Sequence, residues 1–427
     1  MPELESGGNP MRNLRRVAVV YDLGAADIIG IVTALENFAV PIFICPDSGH
    51  EEYPTDLMSE FGVLCDIRGM DFSDAVERIR ELSPEGIVTY SDYQLELTSR
   101  LAAELGLLFH TPAVVQALTR KSVQRQLLNA SGASAVSSEL VTDRRSLLDA
   151  FARTGGPAVL KPDIGTGSRS TYRIHDVHDA ERAAAEVFPN HEEPGAGEPF
   201  VLETEIPSSL IENPWADYVS VDSAVFLDRI EHIAILGKFP LAKPYRETGS
   251  FFPAHLPPQT AARVKSLVSM AIRGLGIRLG ICHTEVKLSP DGPQVIEVNG
   301  RLGGRVNELV RQTGGPDLVR IAAQLALCQT ATPRIVDAWD PSCIAFLYAK
   351  PPPSEAKRLL TLRGVEQLRD SPEISRVTAE YEEGATLDWR RGRLANIYVC
   401  YGDVGTHARL FQLVSEVNRT VSLTFEH

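Results

Sequence analysis

A chain of 427 residues is too long for one small core and implies two to four domains. Its hydrophobic content of 44% and charged content of 23% are ordinary for a soluble globular protein. The net charge of −14 argues against nucleic acid or an anionic membrane as the main partner, since both select basic patches. Six scattered cysteines with no CxxC pair fit reduced thiols in a cytoplasmic protein better than disulfides or a zinc site. No apolar run approaches the roughly 20 residues of a membrane span. The opening MPELESGGNPMRNLRR lacks the apolar core of a secretory signal and reads as a loose tail.

The first hundred or so residues alternate strand and helix. Strands are expected at Arg16–Tyr21, Pro41–Cys45, Val63–Asp66 and Gly86–Tyr90, with helices at Ala26–Phe38, Asp71–Leu82 and Gln94–Leu105. This order predicts a doubly wound parallel sheet. Gly24 belongs to no GxGxxG fingerprint, so no dinucleotide site is assigned there. Thr111–Ser131 reads as one helix carrying Lys121, and Ser146–Ala152 as another. The strand Pro157–Pro162 ends in Lys161, and the glycine-rich Asp163–Ser170 (DIGTGSRS) leads to a returning strand, Thr171–Ile174. Such a loop can wrap phosphate oxygens with backbone N–H groups, Lys161 adding a point charge, or it can be a plain flexible hairpin; the loop alone supports both readings.

The loop-like PNHEEPGAGE precedes a strand, Phe200–Ile206, that breaks at Pro207. Tyr218–Phe226 alternates, with Tyr218, Ser220, Asp222 and Ala224 on one face, and Ile230–Leu236 is its hairpin partner. Gly237–Ser250 reads as a long loop holding Lys238 and Glu247. Gln259–Leu275 is an amphipathic helix, and Leu309–Ala326 reads as one more helix. Thr332–Pro341 reads as a linker. The last module reads β-α-β-β-α-β over Cys343–Tyr348, Glu355–Leu368, Ile374–Ala379, Leu394–Tyr401, Thr406–Val417 and Val421–Phe425. It carries no catalytic constellation and suggests a covering or dimer-contact role, so a homodimer is entertained.

The most informative stretch is Cys282–Arg305, two short strands around the turn Ser289-Pro290-Asp291-Gly292. His283, Glu285 and Lys287 share one face of the first strand; Val295, Glu297 and Asn299 share one face of the second. If Leu288 pairs with Gln294, Glu285 faces Glu297 and His283 faces Asn299. Carboxylates opposed across a ladder, with Cβ atoms roughly 5 Å apart, repel each other. A divalent cation between them removes that cost, and a small set of oxygen donors suits Mg²⁺ shared with a substrate phosphate. The competing reading is a solvated face of alternating Glu and Lys. His283 reads as a packed residue and not a ligand, because Mg²⁺ avoids imidazole.

Taken in order, these signals form a set: Lys121, then Lys161 with its glycine loop, Glu203-Thr204-Glu205-Ile206 at a strand end, and Glu285 and Glu297 followed by Asn299 and Arg301. The set, from about residue 16 to 330, resembles the ATP-grasp superfamily of ligases. Within it, the motifs ADYVSVD (Ala216–Asp222), Gly237-Lys238, RETGS (Arg246–Ser250), CHTEVKL (Cys282–Leu288) and VIEVNGR (Val295–Arg301) resemble the L-amino acid ligases, the bacilysin-type dipeptide synthetases. The resemblance implies an α/β ATP-grasp fold. It comprises an N-terminal Rossmann-like parallel-sheet domain over residues 1–118 and a lid subdomain over 119–207. A central antiparallel-sheet domain with the metal and substrate site follows over 208–335, then a small α+β C-terminal module over 342–427.

The resemblance also implies roles. Lys121 and Lys161 would contact ATP phosphates and the adenine side, Lys238 would join the ATP site, and Gly165, Thr166, Gly167 and Ser168 would close as a lid. Glu203 would accept from the adenine amino group, with the backbone of Glu205 and Ile206 completing that pocket. Glu285 and Glu297, assisted by Asn299, would hold one or two Mg²⁺ ions, with Mn²⁺ as an alternative. Arg301 would bind the substrate carboxylate and the phosphate formed on it, and Glu247 would face the amino group of the first amino acid. Ser250 and Arg305 stand where the bacilysin-type enzyme has a His and a Trp. That implies a roomier or more polar first pocket, a larger polar or acidic first substrate, and a place in antibiotic biosynthesis. The implied reaction activates a carboxylate as an acyl phosphate and joins it to the amine of a second amino acid or peptide, with charge neutralisation as the protein's main task. The alternatives are a carboxylase or purine-type ATP-grasp ligase, which RETGS and HTEVKL argue against, and a silent ATP-binding regulator, which the intact Glu285, Glu297, Asn299 and Arg301 set argues against.

Overall fold

A computed structural model describes residues 14–49, 53–189, 198–208, 214–328 and 339–427. Most of the expected N-terminal tail, most of the PNHEEPGAGE loop and most of the Thr332–Pro341 linker lie outside the described residues. Strands β1 (Arg15–Val20), β2 (Ala39–Cys45), β3 (Val63–Asp66) and β4 (Gly86–Val88) form a parallel sheet in the order β3-β2-β1-β4. Helices α1 (Ile28–Leu35), α2 (Thr55–Phe61), α3 (Phe72–Glu81) and α4 (Leu95–Leu105) complete this unit. Its strands are apolar on both faces because both are covered; Val17, Val19, Ile42 and Ile44 have no exposed surface. Asp27 starts α1 by accepting from the Gly30 N–H at 2.7 Å.

The single helix expected over Thr111–Ser131 is two, α5 (Pro112–Thr119) and α6 (Lys121–Ala130), with Arg120 extended between them. Neither Pro nor Gly marks this break. It is made from a distance: Asp163 accepts the Lys121 N–H on its carbonyl (2.9 Å) and the Ser122 N–H on its carboxylate (2.8 Å), so a residue some forty positions away caps α6.

Strands β5 (Ser138–Val141), β6 (Ala158–Pro162), β7 (Tyr172–Ile174) and β8 (Phe200–Thr204) build an antiparallel sheet in the order β5-β8-β6-β7, backed by α7 (Arg144–Thr154) and α8 (Val177–Val187). A capping box between Asp143 and Ser146 opens α7, and left-handed Gly155 ends it.

Among the described residues the largest sheet has eight strands. Its members are β9 (Tyr218–Phe226), β10 (Arg229–Lys238), β11 (Gly249–Phe252), β12 (Leu279–Ser289), β13 (Gly292–Asn299) and three strands from the end of the chain. Those three are β14 (Ile344–Lys350), β16 (Ile374–Ala379) and β17 (Tyr398–Val404); between the first two lies β15 (Arg358–Arg363), which pairs outside the sheet with β18 (Ser422–Glu426). The order β13-β12-β9-β10-β11-β14-β17-β16 makes the last module a continuation of the central sheet through the β11–β14 ladder. Helix α9 (Pro258–Gly274) covers one face, placing Val264 and Val268 among Val219, Val221 and Val225 of β9. The opposite face of β9, with Tyr218, Ser220 and Asp222, is turned the other way, as the alternation predicts.

Two further expectations change. Leu309–Ala326 is not one helix but α10 (Val306–Gln312) and α11 (Leu318–Leu327). Gly314 takes φ +82° between them, Pro316 lacks an N–H, and Asp317 caps the second helix at Arg320 N. Glu355–Leu368, expected as a helix, contains strand β15, whose backbone is paired with β18. The final helix, α12 (His407–Thr420), lies as expected.

Candidate active site

The β12–β13 ladder pairs Glu285 with Glu297 and His283 with Asn299. The turn is tighter than expected, however: Ser289 pairs with Gly292, Leu288 with Pro293 and Lys287 with Gln294. A β-bulge at Ile296 absorbs the difference, since Val286 pairs with Val295 while Glu285 already pairs with Glu297. The bulge corrects the expected facing of Val295. That side chain is fully buried among Val286 and Val298, and two successive residues, Ile296 and Glu297, line the opposite side.

That side is the wall of a cavity of about 710 Å³. Every residue singled out from the sequence lines it: Lys121, Lys161, Gly165, Thr166, Gly167, Ser168, Glu203, Glu205, Ile206, Lys238, Glu247, Ser250, Glu285, Glu297, Asn299, Arg301 and Arg305.

At one end, Glu203 receives a bidentate pair from Arg125 (3.0 and 3.2 Å) and Lys161 Nζ at 2.8 Å. Burial alone would push the Glu203 carboxyl up, but the two cations outweigh it and lower it to about 2. Glu205 is held by the Tyr245 hydroxyl (2.6 Å) and Arg173 (3.0 Å), and its N–H is committed to Pro157 O. The glycine loop has Gly167 and Ser168 in the left-handed region, φ +67° and +57°. Lys121 Nζ donates to Gly165 O at 2.6 Å. Residues of the last module pack onto the same loop: the Ser170 N–H donates to Arg390 O (3.2 Å), and a Cβ on Gly392 would meet Gly167 O at 2.0 Å.

At the other end, Lys238 Nζ lies 2.8 Å from Glu247 Oε1, and the Tyr218 hydroxyl is 3.5 Å from the same oxygen. Burial acts to lower Lys238, but the Glu247 and Glu285 carboxylates outweigh it and its pKa rises. Burial, and then Glu247, pushes the Glu285 carboxyl above its ordinary value. Arg301 is locked by Asp92, with Nε at 2.7 Å and Nη2 at 2.5 Å, and its Nη1 donates to Leu302 O. His283 Nδ1 donates to the Asp222 carboxylate (2.8 Å), and its Nε2 lies 3.9 Å from Glu285. Arg305 is left-handed at φ +64° and pairs with Glu308 at 2.8 Å. Leu347, Asn396 and Tyr401 close the cavity from the last module, in which sequence reasoning found no site residue. Arg125, Asp92 and Tyr245 were also missed; Arg125 alone carried a signal, four positions after Lys121 on one helix face.

Among the described residues, no three His, Cys, Asp or Glu side chains gather to hold a metal by themselves. Glu285, Glu297 and the Asn299 amide nevertheless offer hard oxygen donors on one wall of the cavity. Two carboxylates of this kind fit Mg²⁺ completed by water and phosphate oxygens. Among the described residues, no helix is long and apolar enough to cross a membrane.

Residues 154–308 match the ATP-grasp domain family. Carnosine synthase 1 of Gallus gallus is 27% identical over 263 residues, covering 58% of this chain but 28% of that protein, so the chain spans under a third of the relative's length. The crystal structure of an L-amino acid ligase from Bacillus licheniformis superposes with a TM-score of 0.74 at 19% identity, covering 97% of this chain and 99% of that one. The biotin carboxylase domain of a Hydrogenobacter thermophilus 2-oxoglutarate carboxylase, solved with MgADP and bicarbonate, gives a TM-score of 0.63 at 15% identity over 96% of this chain and 91% of that one. At these identities the structural likenesses establish the fold.

Proposed function

We propose, from the premise that residues 154–308 are an ATP-grasp domain, that this chain is an ATP-dependent carboxylate–amine ligase. It activates the carboxylate of an amino acid or a similar acid as an acyl phosphate. It then joins that acid to the amine of a second amino acid or peptide, releasing ADP and phosphate. The observation that carries the reading is the Glu285–Glu297 pair, opposed across one ladder inside a cavity that also holds Lys121, Lys161 and Arg301. Like charges kept face to face cost stability unless a cation relieves them. Glu285, Glu297 and Asn299 hold Mg²⁺ in this reading, and the bound cation supplies neutralisation of phosphate charge.

The remaining roles belong to side chains. Lys161, Glu203 and the Glu205–Ile206 backbone take the base and its adjoining phosphates. The Gly165–Ser168 loop excludes water, which protects a hydrolysable acyl phosphate. Arg301, preorganised by Asp92, meets the substrate carboxylate. Glu247, beside Tyr218, faces an ammonium group. The similarity to carnosine synthase 1 supports amide-bond formation.

The test is release of ADP and phosphate with Mg²⁺, screened over amino acids singly and in pairs. Release that needs two amino acids supports the ligase. Release with bicarbonate instead points to a carboxylase, and nucleotide binding without turnover to a regulator. Hydroxylamine traps the activated acid as a hydroxamate and identifies it.

A further inference from the structure

Strand β13 is the end strand of the eight-stranded sheet, so one row of its backbone groups has no strand partner among the described residues. Helix α6 supplies that partner through side chains. The Gln124 amide accepts the Val298 N–H and donates to Val298 O, both at 2.8 Å, copying a β-bridge. Its neighbour Arg125 is 2% exposed and uses all five guanidinium N–H groups' worth of bonding. Two bonds go to Glu203, one to Ser134 Oγ (2.9 Å), one to Val295 O (2.8 Å) and one to Ile296 O (2.6 Å).

The last two acceptors are consecutive. In a regular strand, successive carbonyls point to opposite edges. One guanidinium reaches both only because the bulge at Ile296 turns them to the same side. The bulge is also what brings Glu297 into the cavity while Val295 stays in the core. We propose that Gln124 and Arg125 are positioning residues: together they serve as a surrogate strand along β13, fix the bulge that aims Glu297, and tie it to Glu203. For the part Glu297 plays, this rests on the reading of the cavity given above.

The test uses the full chain and three variants: Gln124→Ala, Arg125→Lys and, on the solvent face of the same helix, Gln126→Ala. Amide hydrogen exchange is followed over residues 294–299, and Mn²⁺ is titrated in the presence of ADP. In the first two variants, exchange over 294–299 is expected to quicken at least tenfold. Mn²⁺ affinity is expected to fall by about 10–100-fold, as when a partner of a metal ligand is removed. Gln126→Ala is expected to change neither. Among the described residues the Gln124 side chain hydrogen-bonds to Val298 of β13 and Ala117 of α5, so Gln124→Ala should leave ADP affinity without metal within about twofold, whereas Arg125→Lys should weaken both. Unchanged exchange over 294–299, or Mn²⁺ affinity equal to wild type, overturns the proposal. If Arg125→Lys does not fold, Gln124→Ala carries both readouts. If wild-type protein takes up no Mn²⁺ with ADP, the functional reading of the cavity falls, and the exchange result still decides whether the clamp exists.

Discussion

Lys121 Nζ stands 3.3 Å from Glu297 Oε1, so a lysine expected at phosphate rests on a carboxylate expected at a cation. The same ammonium holds the glycine loop through Gly165 O. Arrival of a phosphate with its cation would let both groups exchange partners without leaving either charge bare. Lys121→Met is therefore expected to raise KM for ATP by about 10–100-fold, the scale of a lost hydrogen bond to a charged group. ADP-release kinetics measure this, and an unchanged KM would remove Lys121 from the nucleotide site.

Glu297→Gln separates function from folding. It removes one of two opposed carboxylates, so it relieves repulsion on Glu285 even as it gives up the Lys121 contact. Turnover is expected to drop at least about 100-fold while the melting temperature stays within a few degrees of wild type. A collapse of the melting temperature would mean that Glu297 serves the fold.

The Glu203 cluster predicts a pH dependence of stability. Its carboxyl sits at about 2 in the folded chain, against about 4.3 when unfolded. The stability it contributes is thus present above about 4.3 and is lost as pH falls toward about 2. Urea unfolding of wild type and Glu203→Gln across that window should show the wild-type advantage shrinking with acid. A gap that stays constant would contradict the assigned ionisation.

Gly392 carries a fourth expectation. It sits at φ +62° with Gly167 O in the place a Cβ would occupy. Gly392→Ala is strained there and must push the glycine loop or its own segment aside. Weaker ATP binding, by a few-fold or more in calorimetric titration, is expected. Unaltered binding would show that the loop does not depend on this contact.

Much of this site was legible because its chemistry is carried by residue types in order along strands. Tyr218–Phe226 alternates as read, and Glu285 opposite Glu297 follows from the turn chemistry of Ser289–Gly292 even though the reading spaced that turn one residue too wide. The bulge at Ile296 was not legible, because nothing local to Pro293–Asn299 requires it; it is held by Arg125, some 170 residues earlier. The break at Arg120 failed for the same reason, being capped by Asp163. The break at Gly314–Pro316 is written locally, in left-handed Gly314 and in Pro316. Asp92 was invisible because its partner, Arg301, lies more than two hundred positions away.

The β11–β14 ladder has a practical outcome for anyone dissecting the molecule. Cutting the chain ahead of Ile344 would strip β11 of its neighbour, uncover Phe251 and Phe252, and leave a raw, sticky flank beside Ser250. The shortest piece able to hold its own shape should therefore run past Val404, and proteolysis should yield no trimmed fragment that both stays soluble and keeps the cavity closed.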